Sequence, residues 1–253
     1  MSEGLLTGTN PVARIAGLIL LTTPLLVSVD RVSAAVALIC TVIAAPLCGV
    51  GLRQLARRGW PLFIAAPLVG VSMLLYGRPE GQVYFSFLMA RVTDNSIELA
   101  IAIVLRVLAI GLPVVVLTAN IDPTDLGDGL AQVLRLPSKF VLASVAGVRL
   151  FTLFVDDWQA LGRARRARGL ADTGRVKRTL GQVFALLVFA LRRGTKLSMA
   201  MEARGFGAPG KRTWARESTV GTRDAALVVV CIAIAALSIT LSVQMGTFRF
   251  LGT

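Results

Sequence analysis

From Ala225 to Met245 the chain runs 21 residues without a charge, and no other feature restricts its fold as tightly. A helix rises about 1.5 Å per residue, so a run of this length crosses a hydrocarbon core of about 30 Å. Water is absent from that core, and the segment must satisfy its own backbone N–H and C=O groups as an α-helix. Further apolar runs lie at Ile15 to Val29, Val32 to Leu52, Trp60 to Tyr76 and Leu99 to Ala119. With 55% hydrophobic residues and a mean hydropathy of +0.73, the 253-residue chain carries more apolar side chain than a soluble domain can bury. The expected fold class is an all-α integral membrane protein with about five transmembrane helices and a set of long amphipathic helices outside the bilayer.

The runs carry local punctuation. The first holds Pro24, and Asp30 with Arg31 separates it from the second, which predicts a tight helical hairpin closed by Arg53, Arg57 and Arg58. Arg14 precedes the first run, but no Ala-x-Ala site follows, so a cleaved leader is not expected. Trp60 and Tyr76 bracket the third run, where amphipathic aromatics favour the headgroup level. Ala66 and Gly70 within it have the small-xxx-small spacing that lets helices approach, a spacing also common by chance in alanine-rich spans. Gly77 to Asn95 reads as a loop with an interfacial turn at Val83 to Met89. Arg106, near the middle of the fourth run, must find a carboxylate, a carbonyl or a snorkelling route, and so faces protein. Glu98 lies more than two turns away and is not its evident partner.

Residues 121–221 are different in kind. Phe140 to Val155 is broken by Arg149 and Val183 to Leu191 is shorter still, so both read as poor spans within amphipathic helices at the membrane face. Asp122 and Thr124 offer caps for a short helix bearing Leu126, Leu130 and Leu134; Leu136-Pro137 ends it, and Ser138 is placed to cap the next. That helix is expected from Lys139 to about Arg168, stopped by Gly169, with a turn at Asp172 to Gly174 and another helix from Val176 to about Glu202. The resulting division is 1–120, 121–221 and 222–253. Most of the 27 Lys and Arg lie between Arg135 and Arg223. Together with Arg53, Arg57 and Arg58 they outweigh Arg31, Arg78, Arg91 and Arg249 on the other side. The basic side is expected to be cytoplasmic, with the N-terminus inside and a multi-pass chain in the membrane.

Several function classes are disfavoured. Histidine is absent, which removes the commonest general base and metal ligand. Cys40, Cys48 and Cys231 lie in apolar runs and read as packing residues. A membrane-surface enzyme would draw on Asp122, Asp125, Asp128, Asp156 and Asp157, yet the adjacent last two point to different helix faces. A stand-alone secondary carrier would need charged or broken helices at mid-membrane, for which Arg106 alone is thin support. Arg163 to Arg168 lacks the interleaved aromatics of a nucleic-acid patch and looks more like a protein or anionic-lipid contact. Gly205, Gly210 and Lys211 have phosphate-loop spacing, but Arg212 stands where Ser or Thr is needed and a helix precedes instead of a strand.

The most specific signal is a repeated tripeptide. Ala167-Arg168-Gly169 and Ala203-Arg204-Gly205 each end an amphipathic helix, with Gly as the stop and Arg as a rigid five-donor fork. A basic residue at a helix C-terminus is also favoured by the macrodipole with no partner implied. Two copies point to docking ends that meet carboxylates on another protein. With these tripeptides, Asn10-Pro11 and Arg14, the stretch Thr118 to Leu126, Leu134-Arg135-Leu136-Pro137 and Val148-Arg149-Leu150, the chain resembles the transmembrane T component of energy-coupling factor transporters. Those importers carry vitamins or nickel and cobalt ions. Asn10 departs from the acidic residue common at that place.

The resemblance implies an energy-coupling subunit without catalysis of its own, in a bacterial inner membrane. It implies two ABC-type ATPase subunits that bind the ATP, a small substrate-binding membrane subunit, membrane lipid around the helices, and no nucleic acid. No cofactor is expected on this chain. Ala167, Arg168, Gly169, Ala203, Arg204 and Gly205 would be the ATPase contacts, and Arg135, Pro137 and Arg149 would belong to the coupling helices. Phe140, Leu150, Phe151, Phe154, Phe184 and Leu187 are candidates either for faces that repack during coupling or for a plain core.

Overall fold

The computed structural model describes residues 6, 8–28, 30–76, 83–87, 90–169, 174–208 and 213–246. Asp172 and Thr173 of the expected turn, Arg78, Arg249, Gly210 and Lys211 lie outside the described residues. Two compact units form: one from 1–121 and 219–253, the other from 122–218.

The first unit contains α1 (Pro11–Val27), α2 (Arg31–Leu47), α3 (Leu52–Tyr76), α4 (Asp94–Leu117) and a helix from Thr222–Gln244, called α8 by its place in the chain. α3 packs along α4, α1 along α8, and α2 against both α4 and α8. Small residues make these contacts: Ala37, Ala45 and Ala66 are fully buried. Lipid offers no hydrophobic drive for helices to associate, so close backbone approach and dispersion must supply it. At the α3–α4 interface Gly70 is buried against Val104, which makes the Ala66/Gly70 spacing a packing device. Cys231 is buried beside Gly17 between α1 and α8, while Cys40 and Cys48 are partly buried; all three are free thiols.

α1 and α2 are joined by the expected short turn at Asp30 but do not form a packed hairpin, since α1 lies along α8 and α2 against α4 and α8. The Asp30 carboxylate caps α2 by accepting from the Ser33 N–H (2.7 Å) and hydroxyl (2.6 Å). Arg106 finds the carbonyl of Leu26, one of those the last turn of α1 leaves without an intrahelical partner. Glu98 pairs instead with Arg31 at 3.1 Å.

Two boundaries differ from expectation. The apolar run Val32 to Leu52 is one stretch by composition but two elements by backbone: Gly49 takes φ +82 after α2 ends at Leu47, and α3 begins at Leu52. Arg53, Arg57 and Arg58 therefore ride on the first turns of α3 instead of closing a loop. Val83–Phe87 (β1) and Ala90–Thr93 (β2) pair antiparallel, so the expected interfacial turn is a two-stranded ribbon. The β-branched and aromatic residues there favour extended pairing.

A buried polar knot holds one end of this unit. Asn10 caps α1, accepting from the Val12 N–H at 3.0 Å, and its own N–H donates to Asp224 at 2.6 Å. Arg14 donates to Thr9 Oγ1 at 2.7 Å, to the Leu6 carbonyl and to the Ala119 carbonyl at 3.4 Å. Arg14 and Asp224 are both buried, so this Arg joins the chain before α1 to the end of α4 and does not merely flank a span.

The second unit contains α5 (Pro123–Gln132), α6 (Ser138–Ala167) and α7 (Arg175–Ala203). Among the described residues four helices are long and apolar enough to cross a membrane: α3, α4, α6 and α8; α1 and α2, at 17 residues, are shorter apolar helices. α6 meets that length and composition test because the helix, Ser138–Ala167, extends beyond Phe140 to Val155 at both ends. Asp122 caps α5 as expected, but Ser138 caps nothing: Pro137 holds the cap position of α6 without a side-chain bond.

Candidate functional site

α6 and α7 form an antiparallel hairpin. Near its turn Arg165 donates to the carbonyls of Arg178 (3.2 Å) and Gly181 (2.7 Å), and farther along Asp157 pairs with Arg193 at 2.7 Å. At the far end a Cβ on Gly207 would stand 3.7 Å from Lys139, at the start of α6. Antiparallel order puts the C-terminus of each helix beside the start of the other.

The twin tripeptides occupy those C-termini with matching geometry. Arg168 is the cap of α6 (φ −90, ψ 7) and Arg204 that of α7 (φ −89, ψ 10). Gly169 and Gly205 follow at φ +70 and +73, the left-handed conformation that a Cβ disfavours. After α7 the Gly205 N–H donates to Glu202 (2.9 Å) and the Phe206 N–H to Met201 (2.9 Å), closing a Schellman motif; the Gly169 N–H makes the equivalent bond to Arg166 at 3.1 Å. All six tripeptide residues are exposed. Among the described residues neither Arg168 nor Arg204 meets a carboxylate. Each is a five-donor fork held at a helix end without a carboxylate partner among the described residues.

The joint from α5 to α6 holds two of the remaining candidates. Arg135 takes φ +53, and the next N–H, of Leu136, reaches back to the Leu130 carbonyl at 3.2 Å. Pro137 follows. Arg135, Pro137 and Arg149 are all exposed. The side chains named as a possible core are not one: Phe140 is 73% exposed, Phe151 and Phe184 68% each, and Leu187 is exposed too, while Leu150 and Phe154 are half-buried. Val141 is the one buried side chain recorded along α6. Two long helices thus carry apolar faces that this chain leaves uncovered.

Three of the five carboxylates of the enzyme reading, Asp122, Asp125 and Asp157, have structural partners. Asp122 accepts from the Thr124 N–H at 2.7 Å, and those bonds hold its carboxyl below the usual range. Asp125 pairs with Arg216 at 3.0 Å and Asp157 with Arg193. Gln132 completes the return after α7 by donating to the Arg216 carbonyl (2.8 Å) and accepting from the Ser218 N–H (2.9 Å). No group of three or more His, Cys, Asp or Glu side chains suited to a metal ion occurs among the described residues. The Arg14 knot and the Gln132 clasp have no sequence signal beyond a polar residue abutting an apolar run.

Residues 5–214 match the model of a family described as cobalt transport protein. Among curated relatives, energy-coupling factor transporter transmembrane protein EcfT of Brevibacillus brevis is 27% identical over 243 residues, 91% of each chain. The protein of that name from Exiguobacterium sibiricum is 28% identical over 193 residues, 72% of this chain and 73% of its own. That of Bacillus subtilis is 28% identical over 170 residues, 62% and 64% of the two chains. The chain therefore belongs to the cobalt transport protein family, as an energy-coupling factor transporter transmembrane component.

Proposed function

We propose that this chain couples two ABC-type ATPase subunits to a small substrate-binding membrane subunit, in a bacterial importer of a vitamin or a transition-metal ion. The observation that carries this reading is the pair of matched, exposed Ala-Arg-Gly helix ends at opposite ends of one hairpin, with neither guanidinium meeting a carboxylate among the described residues. A helix of 29 residues is about 44 Å long. One partner's share of a standard interface, about 800 Å², is narrower than that, so the two ends suit two separate ATPase contacts. Arg168 and Arg204 pair with carboxylates there, and Ala167, Gly169, Ala203 and Gly205 let the partner come close.

ATP is bound and hydrolysed by those partners, and this chain acts mechanically. Closure of the ATPase pair moves the two docked ends, and α6 and α7 carry the motion through their uncovered apolar faces to the substrate subunit. Arg135, Pro137 and Arg149 act as coupling-helix positions, at the α5–α6 joint and along α6. The Lys and Arg bias supports a cytoplasmic N-terminus and a cytoplasmic coupling region at 121–221 between transmembrane segments 1–120 and 222–253.

The test is co-expression with candidate ATPases, purification through a tag on this chain, and comparison with Arg168→Ala, Arg204→Ala and the double variant. Both side chains are exposed, so the chain itself should stay folded while the double variant loses the ATPases or uncouples transport. Retained assembly together with intact transport would reduce the tripeptides to helix stops.

A further inference from the structure

Between α6 and α7, one to two turns inside the Ala167-Arg168-Gly169 end, lies a cleft of about 370 Å³. Trp158, Gln159, Gly162, Gln182 and four arginines line it: Arg163, Arg165, Arg166 and Arg178. Arg165 is committed, since it bridges to the carbonyls of Arg178 and Gly181 and so fixes the cleft wall. Among the described residues Arg163, Arg166 and Arg178 have no carboxylate partner and no acidic side chain lines the cleft. Three like charges converging on one concavity are unfavourable unless something negative joins them.

The second observation is Gln182. It is 7% exposed, lines the cleft, and makes no side-chain hydrogen bond within the described chain. Its amide is not sealed from solvent, so while the rest of the side chain is buried the amide opens on the cleft. The bare backbone of Gly162 gives it room, since a Cβ there would come within 3.3 Å of Gln182 Nε2. An amide donor and three guanidiniums that line one cleft, with no carboxylate partner among the described residues, describe a site for an oxyanion.

We propose that this cleft is a phosphate-binding site, in which Arg163, Arg166, Arg178 and the Gln182 side-chain amide hold one phosphate group between α6 and α7. Guanidinium forks match phosphate geometry by paired N–H donors. Trp158 forms the apolar wall beside the remainder of the ligand. The phosphate comes either from a lipid headgroup or from a soluble phosphate compound, two sources of the same chemistry. Occupancy clamps α6 to α7 just behind Arg168, so the ligand sets how firmly that helix end is held.

Trp158 supplies the readout. Trp60 and Trp214 are first replaced by Phe in the full-length chain, which is then reconstituted in nanodiscs. Inorganic phosphate is titrated at constant ionic strength into discs of phosphatidylcholine alone. In parallel, discs with increasing phosphatidic acid are compared without added phosphate. Saturable change in Trp158 emission is expected in at least one arm: response to inorganic phosphate identifies a soluble source, and response only to phosphatidic acid identifies the headgroup. Gln182→Leu should weaken binding about ten-fold, the cost of one charge-assisted hydrogen bond, and Arg163→Gln with Arg166→Gln by more. Circular dichroism and elution volume confirm that each variant is folded. The proposal is overturned if neither arm responds, if chloride produces the same change, or if folded Gln182→Leu and arginine variants respond as the parent does. Because binding is read without ATPases or transport, failure here leaves the coupling function untouched, and failure there leaves this site standing.

Discussion

Replacing Gly70 by Ala tests how the membrane unit is held together. A Cβ built at Gly70 stands 2.4 Å from Val104 Cγ2 and 3.5 Å from the Ala100 carbonyl oxygen. Carbon pairs are comfortable at about 3.5–4.0 Å, so α3 and α4 must separate by about 1 Å or Val104 must leave its rotamer. Such overpacking costs about 1–3 kcal/mol, and each kcal/mol lowers the melting temperature by about 2–4 °C in a chain of this size. The clash is with one methyl: Val104 Cβ would lie 3.9 Å away, an ordinary contact. Val104→Ala should therefore restore most of what Gly70→Ala removes, leaving a coupling energy of about 1–3 kcal/mol in a double-mutant cycle. Gly51→Ala, whose Cβ meets nothing within 4 Å, is the control and should be close to neutral. The assay is thermal unfolding of the detergent-solubilised chain followed by circular dichroism and size-exclusion recovery. If Gly70→Ala is as stable as the parent, or if Val104→Ala worsens it additively, the close α3–α4 contact is not what holds these helices.

Other perturbations separate the structural residues from those left for partners. Arg14→Met keeps the aliphatic stem but leaves the carbonyls of Leu6 and Ala119 without this donor, and should destabilise the unit by about 3–5 kcal/mol, seen as lost monodisperse yield. Arg14→Lys lacks the fork that reaches several acceptors and should rescue only partly. Asp122 is held below the usual carboxylate range first by the Thr124 N–H, then by the Thr124 side chain. Its capping contribution is therefore complete above an unfolded value of about 4 and fades as pH falls through the lower folded value. Protection of the α5 amides, taken relative to the intrinsic exchange rate at each pH, should fall with acid in the parent but not in Asp122→Asn, which caps without titrating. Phe184→Ser, at a side chain 68% exposed, should leave the isolated chain within about 0.5 kcal/mol of the parent. Co-purification of the membrane partner should nevertheless fall.

The hydrophobic runs, the Asp30 turn, the Asp122 cap and both glycine stops were legible in the residues because each is a local matter. A span needs length and apolarity, a cap needs an oxygen one residue ahead of a helix, and a left-handed stop needs Gly. The break between α2 and α3 inside Val32 to Leu52 is not visible in the residues because hydropathy is blind to where the backbone turns. Tertiary structure alone decided the acceptor of Arg106, which lies 80 residues away at the open end of α1, and the burial of Arg14 with Asp224, whose bonding partner Asn10 is 214 residues distant. It also decided that Phe140, Phe151 and Phe184 stand exposed instead of forming a core. Periodicity says that a helix has an apolar face, but what covers that face depends on which other surfaces the folded chain brings to it.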